Sequence, residues 1–213
     1  MELMYIAGVD RSVDESEWRP FVESQGFGHL VAPGMGLDYP VVVPTQFVFE
    51  GQEVIFHLAG PNPALAALED NPKALISIAG DWAFVPSAWK AIGDEDPAMG
   101  IPTTYYAAVQ LLGRATVVSD PAAVSEVLRR QLGAIQPDIP IADPEQAHQS
   151  RLRSIRAVVL TVDEVRAKFK YGGNVDEAHR LAVIERLRER NGPGDLAAAA
   201  HTVRRMASPG DRR

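Results

Sequence analysis

The feature that most constrains this chain is a crowded run of β signals between Phe27 and Ala59. "FGHLVAP" is followed by the turn "GMG", then "YPVVVP", "QFVFE", the two-residue turn "GQ" and "EVIFHLA". Short β-branched and aromatic runs bounded by Gly and Pro read as strands. Connections this short cannot carry the chain back to a parallel neighbour, so these strands must pair as antiparallel hairpins. The same signals return in "KALISIAG", in "WAFVPSAW", in "TTYYAAVQLLGRATVVS" with Gly113 as a bend, and in "IRAVVLTVDEV". Six or seven antiparallel strands are therefore predicted, with short helices between them. That order favours a mainly β, α+β architecture: a small closed barrel with peripheral helices.

The helices announce themselves by their caps. "SVDESEWRPFVESQG" reads as a short helix with Ser16 as N-cap, Pro20 in its first turns and Gly26 at its end. Asn62 with Pro63 opens "NPALAALEDN", and Asp120-Pro121 opens "DPAAVSEVLRRQLGAI". A second Asp-Pro pair, at 143–144, starts another helix. In "NVDEAHRLAVIERLRER", Val175, Ala178, Leu181, Ile184 and Leu187 fall at helical spacing and predict one packed face. "GPG" at 192–194 precedes an Ala-rich helix and a basic tail, "SPGDRR". The expected division is a barrel domain over 1–190 and a C-terminal helix and tail over 191–213. Residues 90–102, "KAIGDEDPAMGIP", form a polar Gly- and Pro-rich loop long enough to act as a lid.

Several function classes drop out. No GxGxxG or GxxxxGK[ST] is present, so the standard dinucleotide and P-loop sites are excluded. Cysteine is absent, which removes disulfides, thiolate catalysis, iron–sulfur clusters and zinc–thiolate sites. The five histidines are scattered, without HxH or HExxH spacing, which argues against a self-contained zinc site. The net charge of −7 and the acidic residues interleaved with the late arginines argue against nucleic acid as a partner. No apolar run is long enough to span a bilayer, and the N-terminus shows no signal-peptide pattern, so a cytoplasmic location is expected.

One polar residue stands out inside an apolar strand. In "VIFHL", alternation places Val54, Phe56 and Leu58 on one face and His57 with Ile55 on the other. If the first face fills the barrel, His57 points outward, toward a partner subunit or a ligand. A strand histidine can equally be a simply hydrogen-bonded one.

Five blocks, "MYI" at 4–6, "FHLAGPNPALAAL" at 56–68, "GDWAFVPSAW" at 80–89, "IPTTYYAAVQLLGRA" at 101–115 and "KFKYGGN" at 168–174, give the chain a family resemblance. It resembles the FMN-binding split-barrel superfamily, and within it the PaiB-like family of FMN-binding negative transcriptional regulators. It departs from that family where Ser-Pro-Ser-Trp-Tyr becomes Val85-Pro86-Ser87-Ala88-Trp89-Lys90, where Thr-Trp-Asn-Tyr becomes Thr103-Thr104-Tyr105-Tyr106, and where Gly173 replaces a glutamine. The "TTYYAAVQ" block and the loop before it look more like the haem-dependent piperazate synthase branch.

That resemblance implies a homodimer with the cofactor at its interface. It implies haem b, with FMN as the alternative, and His57 as the axial iron ligand; His29 is the rival. It implies a small hydroxylated amino acid as partner: δ-N-hydroxyornithine closes to piperazic acid by forming an N–N bond and losing water. The alternative activity is that of an FMN-binding PaiB-like oxidoreductase or negative transcriptional regulator. The cofactor side would include His57, Asn62, Trp89, Lys168 and Lys170. The catalytic candidates are Lys90, Tyr105 and Tyr106. The two tyrosines are adjacent on a strand, so at most one of them faces the site while the other packs. Lys90 is placed to meet a substrate carboxylate or a propionate, and Lys168 and Lys170 share a face suited to an anion. An exposed loop lysine and a packed β tyrosine are the plainer alternatives.

Overall fold

A computed structural model describes residues 3–34, 36, 38–144 and 149–207 of the chain. Seven strands form one sheet: β1 (Phe27–Ala32), β2 (Val41–Gln46), β3 (Val48–Glu50), β4 (Glu53–Ala59), β5 (Lys73–Val85), β6 (Thr103–Val118) and β7 (Ile155–Lys170). Their spatial order is β2-β1-β5-β6-β7-β4-β3. The β1–β2, β1–β5, β3–β4 and β4–β7 pairs are antiparallel. The β3–β4 hairpin turns at Gly51, whose φ of 60° a residue without Cβ adopts freely. The helices are α1 (Glu15–Gln25), α2 (Pro63–Asp70), α3 (Pro121–Ile135), α4 (Gln149–Leu152), α5 (Glu177–Arg190) and α6 (Asp195–Ala207). No helix among the described residues is long and apolar enough to cross a membrane.

The described residues fall into two compact units that interleave along the chain. One takes the N-terminal segment as far as Pro20, then Ala79–Val109 and everything from Ala167 onward; α5 and α6 both belong to it. The other takes Phe21–Ile78 and Gln110–Arg166. The second unit has a core cluster of Ile55, Val124, Val127, Leu128, Leu152 and Ala157, in which α3 lies on β4. In the first unit Val183, Ile184 and Leu187 of α5 and Ala198 and Ala199 of α6 are buried.

Three sequence expectations are corrected here. "KALISIAG" and "WAFVPSAW" are not two strands: β5 runs unbroken from Lys73 to Val85. Asp81 takes a left-handed φ of 51° within it. It is held at both ends, because the Tyr171 hydroxyl donates to its carbonyl at 3.0 Å and His201 Nε2 lies 2.8 Å from its Oδ2. Such anchoring is what lets a non-glycine residue keep a strained φ.

The cap of α1 is Asp14, not Ser16: the Ser16 N–H donates to Asp14 Oδ1 at 2.8 Å, and Glu17 reaches back to the Val13 N–H at 2.9 Å. A carboxylate accepts from those orphan amides better than a hydroxyl that is itself donating to it. The buried face of α5 is Arg180, Val183, Ile184 and Leu187, while Leu181 is 47% exposed. The apolar stripe is rotated by one residue because the aliphatic stem of Arg180 packs where Leu181 was expected. In α4, the described helix is Gln149–Leu152; residues 145–148 after the Asp143-Pro144 pair lie outside the described residues, as do Met35 of the "GMG" turn and the "SPGDRR" tail.

Candidate functional site

The predicted site residues are shared between the two units. His57 and Asn62 belong to the unit built around α3; Trp89, Lys90, Tyr105, Tyr106, Lys168 and Lys170 belong to the other.

On β4, Val54, Phe56 and Leu58 are buried on one face, and His57 is exposed on the other, as strand alternation requires. Ile55 shares the outward face yet is fully buried, because α3 covers that end of it. The helix also reaches His57: its Nδ1 lies 2.8 Å from Gln131 Oε1. Nε2 receives no hydrogen bond from the described residues. Asn62 caps α2, its Oδ1 accepting from the Ala64 N–H at 3.0 Å. That cap and the Gly60 N–H donating to the Ser154 carbonyl at 2.7 Å fix the corner that follows β4. His29 is exposed on β1, opposite Pro44 and Ser77, and among the described residues it has no side-chain anchor comparable to Gln131.

In the other unit, β6 and the end of β7 assemble a cationic cluster. The Lys168 and Lys170 ammoniums stand 5.6 and 5.8 Å from the Tyr106 ring centroid. Lys168, only 9% exposed, donates to the Tyr5 carbonyl at 3.1 Å, and Lys170 donates to Thr103 Oγ1 at 3.0 Å. Burial, with Lys170 beside it, holds the Lys90 ammonium below the ordinary lysine range. Among the described residues no carboxylate lies within ion-pair distance of these three lysines. Lys168 and Lys170, bonded to neutral oxygens and facing an aromatic ring, are suited to receive an anion.

Of the paired tyrosines, Tyr106 is the one on the lysine face. Tyr105 is 2% exposed, meets Tyr171 edge-on at 5.9 Å, and burial raises its phenol to about 12. Among the described residues its hydroxyl has no hydrogen-bond partner. Trp89 lies in the short Ser87–Lys90 turn with the Arg190 guanidinium 4.5 Å from its ring centroid, so one of its faces is taken.

Two residues were missed by sequence reasoning. The first is Asp10, 7% exposed in the Gly8–Asp10 turn. Burial pushes its carboxyl above the ordinary range, against the opposing pull of Lys168, Lys170 and Arg205. Nothing periodic marks it in "MYIAGVDRS". The second is Gln131. It carries a readable signal: it is a polar residue in register with the apolar stripe Val124, Val127, Leu128 of α3. The structure also accounts for Gly173. A Cβ there would lie 2.4 Å from the Val9 carbonyl oxygen, so the segment that carries Asp10 occupies the space a glutamine would need.

The chain is a split-barrel protein: its fold matches those of the flavocytochrome Anf3 from Azotobacter vinelandii (20% identity, 80% of this chain and 74% of that one, TM-score 0.59) and of the FAD and heme binding protein from Mycobacterium smegmatis (17% identity, 81% and 79%, TM-score 0.61). It belongs to the family described as "Putative FMN-binding domain", which matches residues 4–164. A curated relative, "Protease synthase and sporulation protein PAI 2" of Bacillus subtilis (strain 168), is 24% identical over 196 residues, covering 89% of this chain and 92% of its own.

Proposed function

We propose that this protein is a haem-dependent enzyme resembling piperazate synthase, a cytoplasmic homodimer that converts δ-N-hydroxyornithine to piperazic acid. The observation that carries this reading is the state of His57: an exposed imidazole with Nδ1 engaged by a buried glutamine and Nε2 open. A histidine held at Nδ1 with Nε2 free to donate is what would hold a haem iron, so the residues present fit the group. The haem-binding neighbour among the solved structures supports it at the level of the fold.

The reaction is an internal displacement. The substrate's free ammonium loses a proton, and its nitrogen lone pair forms the N–N bond. The N–O bond breaks with its electron pair on oxygen, which takes a proton and departs as water. No external oxidant or reductant enters. Haem, when bound, would supply Lewis acidity that weakens the N–O bond. Within the unit that carries them, Lys90, Lys168 and Lys170 are the side chains suited to receive a carboxylate by charge-assisted hydrogen bonds. Tyr106 forms the π wall beside two of them. In the same unit as the lysines, Asp10 is a buried carboxyl whose pKa burial raises, and it is the group there suited to serve as a base.

The absorption spectrum tests the cofactor. Addition of hemin should give a Soret band that the His57→Ala variant loses or shifts; an unchanged spectrum in that variant removes His57 as ligand. Incubation of the haem-loaded protein with δ-N-hydroxyornithine should yield the cyclic product, and its absence defeats the enzyme reading alone. The second reading is a flavin-binding oxidoreductase. The family description favours it, and three ammoniums suit a phosphate as well as a carboxylate. Paired flavin bands after incubation with FMN, with no Soret band from hemin, would establish it.

A further inference from the structure

We propose that Gln131 is the positioning residue for His57, setting which imidazole nitrogen carries the proton and which is presented outward. Gln131 is 2% exposed, and it bridges two elements: Oε1 lies 2.8 Å from His57 Nδ1, and Nε2 donates to the Gln46 carbonyl at 3.2 Å. The second bond decides the orientation of the amide. Turned over, its oxygen would face the Gln46 carbonyl, lone pair against lone pair, so the NH2 end belongs there and Oε1 faces the ring. An amide oxygen only accepts, so Nδ1 must be the protonated nitrogen of the neutral imidazole. Nε2 is then the bare donor, held in one direction by a ring that cannot turn without breaking the bond.

The placement is chemically costly without such a role. Gln131 continues the stripe of Val124, Val127 and Leu128, where a leucine would pack with no polar atoms to satisfy. The cost is offset only because both ends of the amide are bonded, and one of those bonds is to the single outward-facing imidazole of β4. Second-sphere partners of this kind orient a metal-binding histidine and raise its basicity. The function assigned to the pair rests on the reading of His57 as iron ligand; the tautomer itself does not.

The test is nitrogen NMR of the histidine-labelled full chain without added haem, at about pH 8, above the ordinary imidazole range. The wild-type protein should show His57 with a protonated Nδ1 and a pyridine-like Nε2. Gln131→Leu, close in volume, should shift the ring toward the Nε2–H form. Gln131→Glu, which restores an acceptor at the same atom, should return it to Nδ1–H and covers the case in which the leucine variant folds poorly. In hemin titrations followed at the Soret band, Gln131→Leu should bind about 10–100-fold more weakly than wild type, and Gln131→Glu should recover much of the loss. A wild-type Nε2–H tautomer, or a leucine variant that keeps Nδ1–H and full hemin affinity, overturns the proposal. A wild-type protein that takes up no hemin overturns the iron-ligand reading instead, and the tautomer result still decides the role of Gln131.

Discussion

His57, Asp10 and Gly173 show how much a single position can depend on its neighbours. His57 is exposed by simple alternation, but the nitrogen it offers is set by a helix residue 74 positions away. Asp10 reaches the lysine cluster only because Gly173 leaves room for the Val9 carbonyl. Gly173→Ala should therefore displace that segment and destabilise the protein by about 1–3 kcal/mol, seen as a lower urea midpoint at unchanged slope. A wild-type midpoint would mean the contact yields without cost. If Asp10 is the base, it works only when ionised. Its raised pKa then places the acid limb of the kcat–pH profile above the ordinary carboxylate range, with activity rising as pH climbs through it. Asp10→Asn should abolish that limb; a variant with the same profile excludes Asp10.

At the scale of elements, the loop over 91–102 is fastened rather than free. Glu95 Oε2 lies 2.8 Å from His179 Nε2 and accepts from the Ile92 N–H at 3.1 Å, while His179 Nδ1 lies 2.7 Å from Asp176 Oδ2. With a carboxylate on each ring nitrogen, the imidazolium is favoured: first Asp176 and then Glu95 raise the His179 pKa by hydrogen bonding, and His179 lowers both of theirs. A raised histidine pKa contributes fully below the ordinary imidazole value and is lost as pH rises through the higher folded value. The lowered carboxylates contribute above their ordinary value and fail as pH falls through the lower folded one. The tether should thus hold across mildly acidic and neutral pH and release in base. Hydrogen exchange in 91–102, corrected for intrinsic rates, should lose protection between about pH 6 and pH 9, and His179→Ala should remove that dependence. Equal protection at both values would show that the tether does not govern the loop. Two carboxylates of this loop are engaged locally: Glu95 with His179, and Asp96, which accepts from the Ala98 N–H at 2.9 Å.

At the scale of the whole molecule, the proposed dimer has a visible motive. Trp82 and Phe84 stand two apart on β5, 61% and 48% exposed, with Ala83 buried between them. Two large aromatics side by side on one strand face are costly to leave in water. Sedimentation should give twice the 23.1 kDa chain mass, and a Trp82→Ser, Phe84→Ser variant should shift toward the single-chain mass. A wild-type monomer at micromolar concentration removes the dimer from the proposal.

Much of the fold was legible because its signals are local. Gly- and Pro-bounded β runs, Asp-Pro and Asn-Pro caps, and strand alternation at His57 each depend on a few adjacent residues and on backbone sterics. Helix α5 was placed correctly but its buried face was not, since whether Arg180 or Leu181 packs depends on what the face meets. The tyrosine pair illustrates the same limit: alternation demanded that the two face apart, and only the position of β7 made Tyr106 the neighbour of Lys168 and Lys170. By itself the sequence determined most of the strands, the caps of α2 and α3 and an outward histidine. Tertiary structure alone decided that Gln131 holds that histidine, that Asp10 comes near Lys168 and Lys170 and that Asp81 lies within one strand instead of ending it, because each depends on groups brought together from distant parts of the chain.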